Sequence, residues 1–372
     1  MPAQSANQLF TVVVLGGYGN FGMIISRALA AIPSVGVIVA GRDYQQANAL
    51  AASIGARAAK VDIDANGLAE KLAKLGTNLV ISTVGPFQGQ DYRVAEAAIA
   101  TRAHYVDLAD ARDFVIGISA LNAAALAQDV LVTSGASSVP ALSSAVIDSL
   151  LSRFSRLDEI HHGISSSEKI PGVATVAAVL GYCGKPLTQW RDGQWTKVFG
   201  WQESRPHDFP APLGRRWVAN CDVPDLELFP DRFPSVRSVR FSAGVGLKIS
   251  QLGIWLLSWL VRAKLLANAA VVAKLLRKAG ILLECFGDGL SGMFVTLQGL
   301  GPVARPRRIT WQLVARQNHG PNIPCMAAVA LARKLASGRL SVRGAQPCVG
   351  LVSADEYLAE LHGFDIKVAL TE

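Results

Sequence analysis

The first hundred and thirty residues alternate short apolar runs with stretches of helical period. Phe10 to Leu15 reads FTVVVL, a β-branched run suited to a buried parallel strand. Similar runs at 35–40, 58–61, 78–83, 104–106 and 130–133 read as strands. Between them, 23–32, 47–54, 67–75, 94–100 and 114–127 carry apolar positions at helical spacing. Strands alternating with helices imply a parallel sheet with right-handed crossovers. Further on the pattern changes. A helix is expected over 141–154 and strands over 159–165, 293–297 and 309–315, with a helix near 324–335. The Trp-, Pro- and Gly-rich stretch 190–234 reads as irregular connections or short antiparallel strands. The expected organisation is a doubly wound α/β domain over 1–136, an α+β domain over 137–354, and a tail, 355–372, forming a helix that packs back on the first domain.

One segment breaks the pattern. Residues 249–261, ISQLGIWLLSWLV, are uncharged and are followed by Arg262 and Lys264. A second apolar stretch, 265–273, ends at Lys274, Arg277 and Lys278. Neither reaches the length needed to span a bilayer. Trp255 and Trp259 share a helix face, while Ser258 and Arg262 define a narrow polar stripe. The segment 249–278 reads as a buried hairpin or an oligomer contact covering a substrate channel. The alternative is a helix lying in a membrane interface.

Charge sharpens this picture. The chain of 372 residues is 51% hydrophobic, which excludes a disordered chain and supports two domains of ordinary size. Its net charge of +8 is unevenly placed. From Arg232 to Ala354 there are 17 basic and two acidic residues, giving +15, and the remaining 19 basic and 26 acidic residues give −7. Such a split points to an anionic ligand, a nucleic acid or a membrane surface. Nucleic acid fits least, since the cationic half lacks aromatic–basic interleaving and zinc-finger spacing. Five cysteines without a CxxC pair argue against a disulfide framework or a structural zinc. Adjacent His161 and His162 on one strand face opposite sides and read as one core histidine and one exposed, so no metal site is expected. Residues 1–8 are polar and lack the basic start and cleavage site of a signal peptide, so a cytoplasmic protein is expected, with the inner membrane face as its alternative station. No HExxH, GxSxG or GxxxxGK[ST] occurs.

The chemistry sits at the strand ends. The first strand runs into Gly16-Gly17-Tyr18-Gly19-Asn20-Phe21-Gly22, so that Gly17, Gly19 and Gly22 satisfy GxGxxG between a strand and a helix. That arrangement gives a tight turn, close backbone approach to a pyrophosphate and free N–H groups at the helix start. Asn20 and Phe21 lie in the same turn. The second strand ends in Gly41-Arg42-Asp43, where NAD-binding domains place an acid for the ribose 2′-OH. A guanidinium there suits a 2′-phosphate and favours NADP, with NAD as the alternative; Arg42 could instead merely precede a helix capped by Asp43. Asp62 ends the third strand, where an adenine-contacting residue often sits, Thr83 ends the fourth, and Gly85, Pro86 and Phe87 follow it.

These residues carry a resemblance. GGYGNFG, AGRD, VDID, STVGPFQGQ, HYVDLADARDF and SGASSVPALSSAV, in this order, resemble the saccharopine dehydrogenase-like family, particularly its bacterial members of about this length. WQLVARQNHGPNIP and GLVSADEYLAEL near the end are similar to segments of those proteins. The resemblance implies a Rossmann-type domain and a nicotinamide-dependent oxidoreductase acting on a C–N bond. It assigns Gly17, Gly19 and Gly22 to the pyrophosphate turn and Arg42 to the adenosine phosphate. Gly85, Pro86 and Phe87 become the loop beside the nicotinamide, and Asp107 and Asp110 the acidic loop near the reacting centre. The substrate arginines of the lysine-pathway enzymes have no assignable counterpart here, so the resemblance does not extend to saccharopine as substrate.

In the second half, a strand leads into Arg316-Gln317-Asn318-His319-Gly320-Pro321. His319 on such a loop reads as a general acid or as a loop hydrogen-bonder, and Arg316 as a contact for an anionic substrate group. The expectation is an NADP-dependent reductase in which Asp107, Asp110 or His319 assists with the proton, with an acidic or amphiphilic small-molecule substrate, working as a homodimer. The competing expectation is a dinucleotide-binding membrane-peripheral or scaffold protein without turnover.

Overall fold

The structure is a computed structural model, and it describes residues 9–167, 180–266 and 287–372. In chain order its strands are β1 (Phe10–Leu15), β2 (Val35–Gly41), β3 (Arg57–Lys60), β4 (Leu79–Ser82), β5 (His104–Asp107), β6 (Leu131–Ser134), β7 (Arg156–Ser165), β8 (Pro186–Arg191), β9 (Gln194–Phe199), β10 (Arg205–Asp208), β11 (Arg215–Asn220), β12 (Ser238–Gly244), β13 (Ser291–Leu300), β14 (Pro306–Ala315), β15 (Gly344–Pro347) and β16 (Ile366–Thr371). They form two sheets in two compact units.

The first unit comprises the chain up to Ala109, Phe114–Ala141 and Pro324–Val352. Its sheet is parallel, in the order β15-β6-β5-β4-β1-β2-β3. Chain order reverses between β1 and β4, which pair from Val12↔Leu79 to Leu15↔Ser82. A doubly wound sheet opens its ligand crevice at such a reversal, beyond the carboxyl ends of the strands. Val12, Val13 and Val14 are fully buried, because a central parallel strand has helices on both faces. The doubly wound α/β fold read from the alternation, Rossmann-type by the resemblance, is the fold observed.

The expected helix over 114–127 is broken into Arg112–Gly117, a tight 3₁₀ turn at Ile118–Leu121, and Asn122–Ala127. Asn122 at the break accepts the Ala345 N–H at 2.9 Å and so fastens β15. Residues 324–352, expected in the second domain, return to the first sheet, where β15 pairs with β6. A four-residue strand, GAQP, carries too short a pattern to read.

The second unit comprises Asp110–Asp113, Leu142–Ile323 and Ser353–Glu372. Its mixed sheet runs β10-β11-β12-β7-β13-β14-β16, with β8 and β9 as a hairpin set beside β12. The tail is a helix only over Ala354–Glu360, begun by a Ser353–Glu356 capping box. Its last residues form β16 and pair with β14 rather than continuing the helix. His162 is buried among Phe229 and Phe241, as expected of a core histidine. His161 is not exposed: it is largely enclosed, against Ser242 and Phe294. Burial lowers both to about 3, so both are neutral at physiological pH.

The buried-hairpin reading of 249–278 is corrected over its described part. The helix Lys248–Arg262 buries Gln251, Ser258 and Val261 and leaves Ile249, Leu252, Leu256, Trp259 and Leu260 exposed. Residues 267–278 lie outside the described residues. Among the described residues, no helix is long and apolar enough to cross a membrane.

Candidate functional site

At the switch point in the first unit, a cavity of about 630 Å³ is lined by Gly16, Tyr18, Gly19, Arg42, Thr83 and Gly85, among others. Its floor is the glycine turn. Gly19 donates to the Gly16 carbonyl at 2.8 Å, and Met23 donates to that of Gly19 at 2.8 Å. The helix Asn20–Ala30 therefore begins directly on the turn. Its N-cap, Gly19, has no side chain to satisfy the first-turn amides, and the first turn holds no acid. Those N–H groups and the positive end of the helix dipole are left for an anion. At Gly22 a Cβ would lie 2.1 Å from the Gly16 carbonyl oxygen and 2.8 Å from the Gly17 Cα. Both are backbone atoms, so no side-chain motion relieves the clash.

Thr83 plays a part the motif does not reveal. Its hydroxyl is within hydrogen-bonding distance of the Leu15 carbonyl at 2.9 Å and the Gly16 carbonyl at 3.2 Å. It thus ties the end of β4 to the turn after β1. Gln90, absent from the expected site, holds the next loop by donating to the Val84 and Pro86 carbonyls at 2.9 and 2.7 Å. Gly85 and Pro86 are exposed on that loop. Phe87 is buried, with its ring 5.3 Å from that of Phe114, and it supports the loop from below.

Arg42 leaves the end of β2 exposed beside the cavity, and no described residue pairs with it. Asp43 caps the following helix, accepting the Gln45 and Gln46 amides at 2.9 and 3.1 Å, so capping and a free Arg42 coexist. Tyr18 was invisible to motif reasoning. Its ring packs so closely on Gly41 that a Cβ there would lie 2.4 Å from a ring carbon, and its hydroxyl accepts the Asp43 N–H at 3.0 Å. The signal was present in the GGYGNFG and AGRD strings, but only their approach in space gives it meaning. Asp62 turns into its own loop and accepts the Asp64 amide at 3.1 Å, while Val61, Ile63 and Asp64 line the cavity there. Asn20 is exposed and Phe21 half-buried in the first turn.

Asp107, at the end of β5 in the same unit, is wholly buried. Its Oδ1 accepts from Ala109 N at 2.9 Å, Ser134 Oγ at 2.8 Å and Gly135 N at 3.0 Å, joining the β5 and β6 ends. Its Oδ2 has no hydrogen-bond partner among the described residues. Burial outweighs these donors and raises the carboxyl to about 6.

Asp110, His319 and Arg316 belong to the second unit. Asp110 is exposed, and its charge, with that of Asp222, helps raise Tyr182 and Cys221, which are shifted mainly by burial and share a 2.6 Å hydrogen bond. His319 and Arg316 lie together on the loop after β14 and are organised by Asp365, which sequence reasoning missed. The Asp365 N–H donates to His319 Nδ1 at 2.9 Å, and its carboxylate lies 3.7 Å from Arg316 Nε. With Nδ1 committed as acceptor, neutral His319 carries its proton on Nε2. Among the described residues, no group of three His, Cys, Asp or Glu is placed to hold a metal ion.

Comparison with known proteins agrees with this geometry. Residues 12–146 match the family of the saccharopine dehydrogenase NADP binding domain. Curated protein sequences give no significant match. Among solved structures, the apo saccharopine dehydrogenase (L-Glu forming) of Saccharomyces cerevisiae is similar in fold at 15% identity. The similarity covers 97% of this chain and 100% of that one, with a TM-score of 0.70. An amine dehydrogenase of Mycobacterium smegmatis is similar at 12% identity over 92% and 95% of the two chains, with a TM-score of 0.51.

Two outcomes follow from the geometry. Gly22→Ala should weaken NADPH binding by about tenfold or more and destabilise the first unit by ~1–3 kcal/mol, read by titration and thermal melting; unchanged affinity would refute the turn's role. The second concerns Asp107, whose carboxyl is raised above its unfolded value of 3.8. Its contribution is therefore full below about pH 4 and lost as pH rises through about 6. The stability of the parent relative to Asp107→Asn should fall across that window by up to ~3 kcal/mol and then level off. Urea melts at several pH values test this, and a difference that does not change with pH counts against it.

Proposed function

We propose that this chain, whose residues 12–146 match the family of the saccharopine dehydrogenase NADP binding domain, is an NADP-dependent oxidoreductase. In this reading hydride moves between the nicotinamide and a C–N bond, as in an imine or secondary amine, or a related C=X bond of a small acidic or amphiphilic substrate. The observation that carries the reading is an uncapped helix start on a glycine turn at the switch point, with Arg42 at the strand end where a ribose-binding acid would stand.

A bound nicotinamide dinucleotide supplies or accepts the hydride, and the chain's own residues bind, orient and handle protons. The amides at Asn20–Gly22 take the pyrophosphate, and Arg42 takes the 2′-phosphate. The Gly85–Pro86 loop, fixed by Gln90, is assigned to the nicotinamide side. Asp107 is assigned to positioning, since its Oδ1 already accepts three donors and the residue is buried. His319 is assigned as a polarising hydrogen-bond donor through Nε2, with Asp110 as the candidate proton donor, and Arg316 as the contact for a substrate anion.

Arg42→Ala should weaken NADPH binding by about tenfold or more while changing NADH binding by less than about threefold. Protein fluorescence reads both titrations, and equal losses would remove the 2′-phosphate role. For turnover, NADPH oxidation is followed over a panel of amine and carbonyl pairs. His319→Ala should then lower kcat by about 10²–10³-fold with NADPH affinity unchanged. A variant that keeps the parent's kcat would exclude His319 from that role.

A further inference from the structure

The helix Lys248–Arg262 exposes an apolar stripe while burying two polar side chains beside Val261. At 100° per residue, Ile249, Leu252, Leu256, Trp259 and Leu260 fall within an arc of about 100°, and all are exposed, Ile249 by 66% and Leu252 by 61%. The inward side holds Gln251 and Ser258, both buried. Ser258 settles its hydroxyl on the Trp255 carbonyl at 2.6 Å. Contiguous apolar faces of this kind mark surfaces that meet something other than water.

A second, independent feature lies at the start of the same helix. A cavity of about 360 Å³ is lined there by Arg215, Arg216, Trp217, Lys248 and Gln251, with no carboxylate in its lining. Gln251 accepts the Val245 N–H at 3.1 Å, but its Nε2 donor is buried and has no partner among the described residues. Lys248 pairs with no described residue, whereas Arg215 is held by Asp208 at 2.6 Å and Arg216 by Asp288 and the Gly246 carbonyl. The helix start adds uncapped amides and no acid. An ammonium, an unsatisfied amide donor and a helix N-terminus together suit an anionic oxygen ligand.

We propose that this face docks on an anionic phospholipid surface, the apolar stripe entering the acyl boundary while a headgroup phosphate meets Lys248 and Gln251. Charge complementarity selects this occupant: no acidic residue occurs between Arg232 and Glu284, and Lys248 at one end of the helix answers Arg262 and Lys264 at the other. Cations at both ends, with a tryptophan on the apolar stripe, suit a helix lying flat in the interface. The inference stands independently of the oxidoreductase reading, since it uses none of the cofactor residues.

The test is flotation of the full chain with phosphatidylcholine vesicles and with vesicles containing phosphatidylglycerol. Binding should be at least about tenfold stronger to the anionic vesicles and should weaken with salt. Leu252→Ser with Leu256→Ser should lower it by about tenfold with no loss of melting temperature, since both side chains are exposed, and Lys248→Glu should erase the preference for phosphatidylglycerol. No flotation, or equal flotation with both vesicles, overturns the proposal. So does inorganic phosphate binding without vesicle binding, which would leave a free-anion site. A dimer by sedimentation that the leucine variant dissociates, with no flotation, would assign the face to a second copy and overturn it equally.

Discussion

The backbone approach at the first turn is the constraint on which the first unit rests. The Gly16 carbonyl comes so near Gly22 that any side chain there would overlap backbone. That approach lets the helix Asn20–Ala30 start directly beyond β1 with its first amides uncapped. Thr83 then links the Leu15 and Gly16 carbonyls to the end of β4, so the switch point and the glycine turn are one rigid piece. Tyr18 extends it to β2 by packing on Gly41 and accepting from Asp43. Three strand ends are thereby held in register around one cavity, with Arg42 beside it.

Charge acts locally rather than as a global field. Of the seventeen cations between Arg232 and Ala354, Arg333, Lys334, Arg339 and Arg343 return to the first unit with β15. Lys334 there donates to the Leu351 carbonyl at 2.8 Å, and Arg343 pairs with Asp129. Arg307, beside the turn of the β13–β14 hairpin, donates to the Arg153 carbonyl and pairs with Glu372. A count along the sequence therefore overstates how cationic the second unit is. Buried carboxylates are individual cases too. Asp107 keeps three donors on one oxygen, and Asp225, beside Ser143 and His162, is raised to about 7 by burial.

Much of the crevice at the glycine turn was legible because its signals are local. A β-branched run, a glycine turn and an apolar helix are contiguous in sequence, and Arg42 sits at a strand end that alternation alone locates. Phe87 and Asp62 show the limit. Both stand at strand ends, yet Phe87 turns into the core beside Phe114 and Asp62 into its own loop. Side-chain direction at a loop depends on neighbours distant in sequence. Asp365 and Gln90 were missed for the same reason: Gln90 holds backbone carbonyls of its loop and Asp365 meets His319 through its own N–H, contacts that no residue type signals.

The sequence by itself determined the parallel α/β unit and the crevice at its glycine turn, because these follow from periodicity, glycine sterics and a helix start. Only the tertiary structure decided that residues 324–352 rejoin the first sheet, that the tail ends as a strand, and that helix Lys248–Arg262 turns its leucines outward and its glutamine inward. Each depends on which surface another segment already covers. A pattern along one chain segment defines two faces, but it does not say which of them the rest of the molecule leaves to solvent.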